Sequence, residues 1–133
     1  DRVTGVVRDM RLTVSDMTLT FVIPAAPSAN NLFFNAPGRG RVKSDRYRTW
    51  RQAAGNEMRI EGNRLRTWET IHGRAAVEIT CNPRGDIDNR AKPIIDLLVH
   101  MAVLKDDRQI DDVRIIRGGD PARAIVTVRE IAA

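Results

Sequence analysis

This chain of 133 residues contains a single cysteine, Cys81. That excludes an intrachain disulfide and fits a reducing compartment. Its two histidines, His72 and His100, stand far apart, so with one thiol they offer no zinc ligand set. No uninterrupted apolar run approaches the ~20 residues that a membrane-spanning helix needs. The opening, DRVTGVVRDMRL, lacks the charged-then-apolar layout of a secretory signal. The expectation is therefore a cytoplasmic protein with no membrane partner. There is no internal repeat and no low-complexity tract. The remainder, 42% hydrophobic and 29% charged, is ordinary for a globular chain. The length suits one domain with one core.

Acid is in short supply. Lys and Arg number 22 against 17 Asp and Glu, a net charge of +5. Such a balance favours polyanionic partners, nucleic acid first. The excess is concentrated between 39 and 66. Arg39, Arg41, Lys43, Arg46, Arg48, Arg51, Arg59, Arg64 and Arg66 there face only Asp45, Glu57 and Glu61, nine bases against three acids. A solvated helix face would show the same bias. Arginine dominates over lysine, and its fork matches phosphate geometry.

Periodicity gives the order of elements. MTLTFVIP, 17 to 24, alternates and is β-branched, so it reads as a strand. Residues 25 to 44 carry Pro27, Pro37, Gly38 and Gly40 and read as a long loop. Ser44 or Asp45 caps a helix from about 46 to 60, with Tyr47, Trp50, Ala54 and Met58 on one face. RAAVEITCNP, 74 to 83, is a half-buried strand that places Cys81 in the core. A helical stripe, Ile94, Ile95, Leu98 and Met101, follows to about 102. VRIIR, 113 to 117, and AIVTVRE, 124 to 130, read as a hairpin turning at GGDP. The expected fold is a single α+β domain, a mixed β-sheet with two main helices packed on it. Residues 1 to 16 are expected to be an N-terminal extension to a domain spanning 17 to 133.

The stretch GDIDNRAKPIIDLL, 85 to 98, is the least generic. In an extended segment Asp86 and Asp88 project to the same side. Paired carboxylates repel unless a hard cation such as Mg2+, Mn2+ or Ca2+ relieves them. Lys92 lies one helical turn on, and Pro93 fits a first turn, so the helix begins near Lys92. An ammonium beside a metal makes sense if a phosphate also sits there. A plainer reading competes. Asp88 or Asn89 caps the helix, and Lys92 pairs with Asp88 and Asp96 at i, i+4. A calcium-binding EF-hand loop fails on spacing, because Ala91 and Leu97 occupy the positions that need glycine and glutamate. A second acidic group, Asp106 and Asp107 in KDDRQI, is positioned to add a third carboxylate.

Taken together, D-I-D-N-R-A-K-P-I-I-D-L-L and K-D-D-R-Q-I resemble the motif of the RusA family of phage-type Holliday-junction resolvases. VIPAAPSANNLFF and SDRYRTWR are similar to that family's first strand, following loop and first helix. The resemblance covers roughly 17 to 130. It implies a homodimeric, Mg2+-dependent endonuclease, with Mn2+ as an alternative, that nicks four-way DNA junctions in pairs during recombination and repair. By motif position, Asp86, Asp88 and Asp107 would be catalytic metal ligands and Lys92 the lysine beside the scissile phosphate. Asn89, Asp96, Asp106 and Gln109 would serve positioning. Arg39, Arg41, Lys43, Arg46, Arg48 and Arg84 would contact DNA. The pattern departs from relatives in three places, one of them D-L-L, 96 to 98, where D-A-L is usual. Only Arg84 provides a basic residue just before the D-x-D, and VHMAVL lacks the glycine many relatives carry after the helix, so altered packing is expected there. Three other readings stay open: a nuclease for flaps or forks, a DNA-binding protein without catalysis, and a structural module.

Overall fold

Strand β4, Ala75–Cys81, organises the molecule. Its alternate residues Ala75, Val77, Ile79 and Cys81 are all buried. A strand so deeply placed must have both edges paired, because unpaired backbone N–H and C=O groups are costly away from water. The computed structural model, which describes residues 17–65 and 68–131, shows how this is met. The sheet order is β1-β6-β4-β5, with β1 at Thr18–Pro24, β5 at Ile110–Arg117 and β6 at Arg123–Glu130. β4 runs antiparallel to β6 and parallel to β5. β1 closes the other edge, antiparallel to β6. The expected N-terminal extension, 1 to 16, and Arg66 lie outside the described residues.

Register sets the core face. Phe21 pairs with Val126, Ile23 with Ala124, Val77 with Val128 and Ile79 with Val126, so these side chains share one side of the sheet. Two helices cover that side. In α1, Asp45–Leu65, the buried residues Tyr47, Trp50, Ala54 and Met58 follow helical spacing. The Trp50 indole donates to Pro24 O at 2.9 Å, and Arg123 pairs with Glu57 at 2.7 Å, fixing α1 to β1 and β6. In α2, Ala91–His100, the buried residues are Pro93, Ile94, Leu97 and Leu98. The opposite sheet face, with Val22, Ile116 and Ile125, is exposed. The architecture is the expected single α+β domain. Among the described residues, no helix is long and apolar enough to cross a membrane.

Two local expectations are corrected. The last two strands do not form a hairpin, because β4 lies between them. Residues 118 to 122 carry the chain across the end of β4, where Gly118 N donates to Cys81 O at 3.0 Å and Asn82 Nδ2 to Gly119 O at 3.0 Å. β5 reaches its place by the α2 crossover that a parallel neighbour requires. The expected long loop is also more ordered than its composition suggests. Ser28 caps a short 3-10 turn, Ala29–Asn31, and β2, Phe33–Ala36, pairs with β3, Gly40–Lys43. Gly38 and Gly40 have positive φ, +73° and +72°, which glycine adopts at little cost. Ser44 then starts α1 by accepting from Tyr47 N at 3.1 Å.

The departure VHMAVL has a visible consequence. α2 ends in a reversed turn in which Val103 N donates to Leu98 O at 2.9 Å, and Ala102 takes φ +60°. That is the left-handed helix-terminal position where glycine is usual. A Cβ there strains the backbone. Ala102→Gly is expected to stabilise the protein by about 0.5–1 kcal/mol, read as a higher urea midpoint with unchanged slope.

Candidate functional site

The loop from β4 into α2 carries the first acidic pair, and its backbone is not extended. Gly85 has φ +79°, Ile87 is helical at φ −86°, ψ −26°, and Asp88 opens a 3-10 turn, Asp88–Arg90. The expected side-by-side projection of Asp86 and Asp88 from a strand is therefore corrected. The half-buried Ile87 packs against the core, so the chain turns between the two aspartates. Both are exposed, and among the described residues neither side chain has a hydrogen bond or ion pair. The buried Asn89 Oδ1 likewise lacks a partner.

Two arginines brace this loop through its backbone. Arg117, at the end of β5, donates from Nη1 to Pro83 O and from Nη2 to Gly85 O, each at 2.6 Å. Arg90 donates to Ala26 O at 2.8 Å and to Arg84 O at 3.4 Å. Neither was legible in the sequence. Arg90 sits inside the motif but looks like a spacer, and Arg117 becomes a neighbour only because β5 runs parallel to β4. Arg84 is exposed beside the pair.

Lys92 stands exposed in the first turn of α2, with Nζ 3.6 Å from Asp96 Oδ2. An exposed pair of this kind adds little stability. The second acidic group is held quite differently. Asp106 caps the 3-10 turn Asp107–Gln109, accepting from Arg108 N at 2.9 Å and pairing with the Arg108 guanidinium at 2.8 Å. The Arg108 side chain, then its backbone N–H, holds the Asp106 carboxyl well below the usual range. Gln109 is buried and uses its whole amide. Its Oε1 accepts from Lys105 N at 2.7 Å and Asp106 N at 2.8 Å, and its Nε2 donates to Ile71 O and Gly73 O, both at 2.8 Å. Asp107 is exposed, and its side chain hydrogen-bonds the Asp106 carboxyl.

A cavity of about 460 Å³ brings Asp96, Asp106 and Asp107 together with Lys43, Tyr47 and His100. Burial, then the Asp96 carboxylate, pushes the Tyr47 phenol up. Asp86 and Asp88 do not line this cavity. Among the described residues no three acidic, imidazole or thiol groups converge as ligands of one ion. The chain leaves β4 towards Asp86 and enters β5 after Asp107, and the parallel pairing separates these points along α2. The single Asp86, Asp88 and Asp107 centre expected from the motif is not assembled here. As separate donors, the free carboxylates still fit Mg2+, which commonly takes one or two carboxylates and keeps several waters.

Of the expected DNA-contacting residues, only Lys43 reaches the acidic cavity. Arg39 lies in the β2–β3 turn, and Arg41 on β3 rests 4.7 Å over the Phe33 ring. Lys43 ends β3 and reaches the acidic cavity. Arg46 and Arg48 are exposed on the first turn of α1, with Arg48 paired to Asp45 at 2.5 Å. The expected long loop thus contains a hairpin that carries Arg39, Arg41 and Lys43.

A mixed sheet with two helices, free carboxylates and a cationic hairpin defines a nuclease-like site. The comparisons name the class. The model of the family Endodeoxyribonuclease RusA matches residues 23–129, and the chain belongs to that family of DNA phosphodiester hydrolases. It is similar to the crossover junction endodeoxyribonuclease rusA of Enterobacteria phage HK97, 30% identical over 98 residues, 74% of this chain and 81% of the relative.

Two outcomes follow. Asp106 titrates below its unfolded value of 3.8, so its stabilisation is complete above about pH 4 and is lost as pH falls further. Asp106→Asn is expected to be less stable than wild type at pH 7, with the difference narrowing steadily as urea melts are taken from about pH 4 to lower pH. Arg117→Ala is expected to slow DNA cleavage on the order of 10–100-fold with the DNA Kd within twofold. Arg117→Lys should not rescue it, because an ammonium cannot span two carbonyls as the fork does.

Proposed function

We propose that this protein resolves four-way DNA junctions, acting as a homodimer that makes paired, symmetric nicks and depends on Mg2+ or Mn2+. The observation that carries the reading is the pair of uncommitted carboxylates, Asp86 and Asp88, on an arginine-braced loop beside Lys92, in a chain of the RusA family. Asp107, the third carboxylate of the motif, lies apart from this pair at the other end of α2, on the turn that Gln109 fixes.

A hard cation held by Asp86 and Asp88 would supply a water of lowered pKa and neutralise phosphate charge. The protein's own groups do the rest. Lys92 sets a positive charge one helical turn from Asp88, where a phosphate gains negative charge in the transition state. Asp96 holds that ammonium by its ion pair. Water oxygen bonds to phosphorus as the P–O3′ bond breaks. The leaving O3′ takes a proton, giving a 3′-hydroxyl and a 5′-phosphate. Arg39, Arg41, Lys43, Arg46, Arg48 and Arg84 bind backbone phosphates, which makes affinity salt-dependent and largely sequence-independent. A junction has approximate two-fold symmetry, which suits a two-fold pair of chains.

The test uses a synthetic mobile junction with Mg2+ or EDTA, beside a flap and a linear duplex. Wild type is expected to nick opposing strands of the junction only with Mg2+. Asp88→Asn is expected to lose on the order of 10²–10³ in rate while still binding. Preferential cutting of the flap would replace the junction reading with a branch nuclease. Tight junction binding with no cutting under Mg2+ or Mn2+ would leave a binding protein.

A further inference from the structure

A second hollow, about 560 Å³, runs along α1 and has no place in the motif. Lys43, Arg48, Arg51 and Arg59 line it together with His100, and no carboxylate does. Like charges gathered this way repel, and a polyanion is the partner that relieves them. Arg48 is paired with Asp45, but the contacts of the others leave much of their charge unspent. Arg59 bonds the neutral Asn56 Oδ1 at 2.9 Å. Arg51 lies 5.9 Å over the Tyr47 ring, and its buried Nε has no acceptor among the described residues. Burial, then Arg51, Arg59 and Lys43, pushes His100 towards its neutral form, consistent with a strongly positive hollow. Gly55 and Met101 meet closely in its lining, since a Cβ on Gly55 would come within 3.1 Å of Met101 Sδ.

This hollow adjoins the acidic cavity. Lys43, Arg51 and His100 line both. We propose that it is a track for one DNA strand, in which Arg51 and Arg59 hold successive backbone phosphates and Lys43 passes the strand on towards Asp107. An elongated hollow opening onto a second cavity suits a chain of phosphates better than a single small anion. The choice of DNA as the polyanion rests on the nuclease reading. The track itself rests on the charge and the shape. It also explains why arginines continue along α1 well beyond the β2–β3 hairpin.

The experiment measures binding by anisotropy, in EDTA, of a fluorescent dT20 strand and of a four-way junction across a range of NaCl. The chains compared are wild type, Arg51→Ala, Arg59→Ala, the matching Lys variants and, as a control on the opposite sheet face, Arg114→Ala. Each groove alanine is expected to reduce the slope of log K against log salt for dT20 by about 0.7 and to weaken binding severalfold. Lysine should restore the slope, and Arg114→Ala should match wild type. Melting curves confirm folding, and the exposed Arg59 carries the test alone if Arg51→Ala does not fold. Slopes and affinities equal to the control would overturn the track. So would protection by inorganic phosphate without any change in dT20 binding. Reduced slopes in a protein that cuts no junction would keep the track and reject the nuclease reading. Unchanged slopes in a protein that does cut would do the reverse.

Discussion

The burial of β4 between a parallel and an antiparallel neighbour is the constraint on which the rest depends. Val77 and Ile79 are at most 1% exposed, so both edges of their strand must be paired. β6 takes one edge and β5 the other. Because β5 is parallel, the chain must cross over, and that crossover is the motif. The loop with Asp86 and Asp88 leaves β4, α2 carries Lys92 and Asp96 back, and the turn with Asp107 enters β5. Arg117 can brace the acidic loop only because this pairing brings the end of β5 beside residues 83 to 85.

Polar groups near the site divide by commitment. Asp106 is bound by Arg108 and by a backbone N–H, and Gln109 has four bonds, so both shape the turn. Asp86 and Asp88 are exposed and have no side-chain partner among the described residues, while the exposed Asp107 bonds Asp106. On the basic side, Arg41 spreads over Phe33, while the hollow beneath α1 concentrates charge with no acid in its lining. In the proposed function, the free carboxylates handle the reacting phosphate and the cations its neighbours along the strand.

Much of this was legible in the sequence, for identifiable reasons. The strands at 18–24 and 75–81 announce themselves by alternation, and α1 by the spacing of Tyr47, Trp50, Ala54 and Met58. The motif residues stood out because their spacing is specific only in combination. What was hidden depends on pairing. GGDP suggested a hairpin, since nearness in sequence says nothing of a strand inserted between neighbours. The β2–β3 hairpin was masked by glycine and proline that also mark loops. Ile87 turned the D-x-D out of an extended path because its own burial mattered more than the local alternation. Arg51 and Arg59 looked like any solvated helix face until the fold set them around a hollow.

The central claim is that two copies of this site act together on one branched DNA. The most direct measurement is the time course of a supercoiled plasmid bearing an extruded cruciform, in Mg2+. Paired incision across the junction converts it to linear DNA within one binding event, and the account predicts linear product rising with little nicked circle. Nicked circles accumulating first, with linear product only from a second encounter, would contradict it.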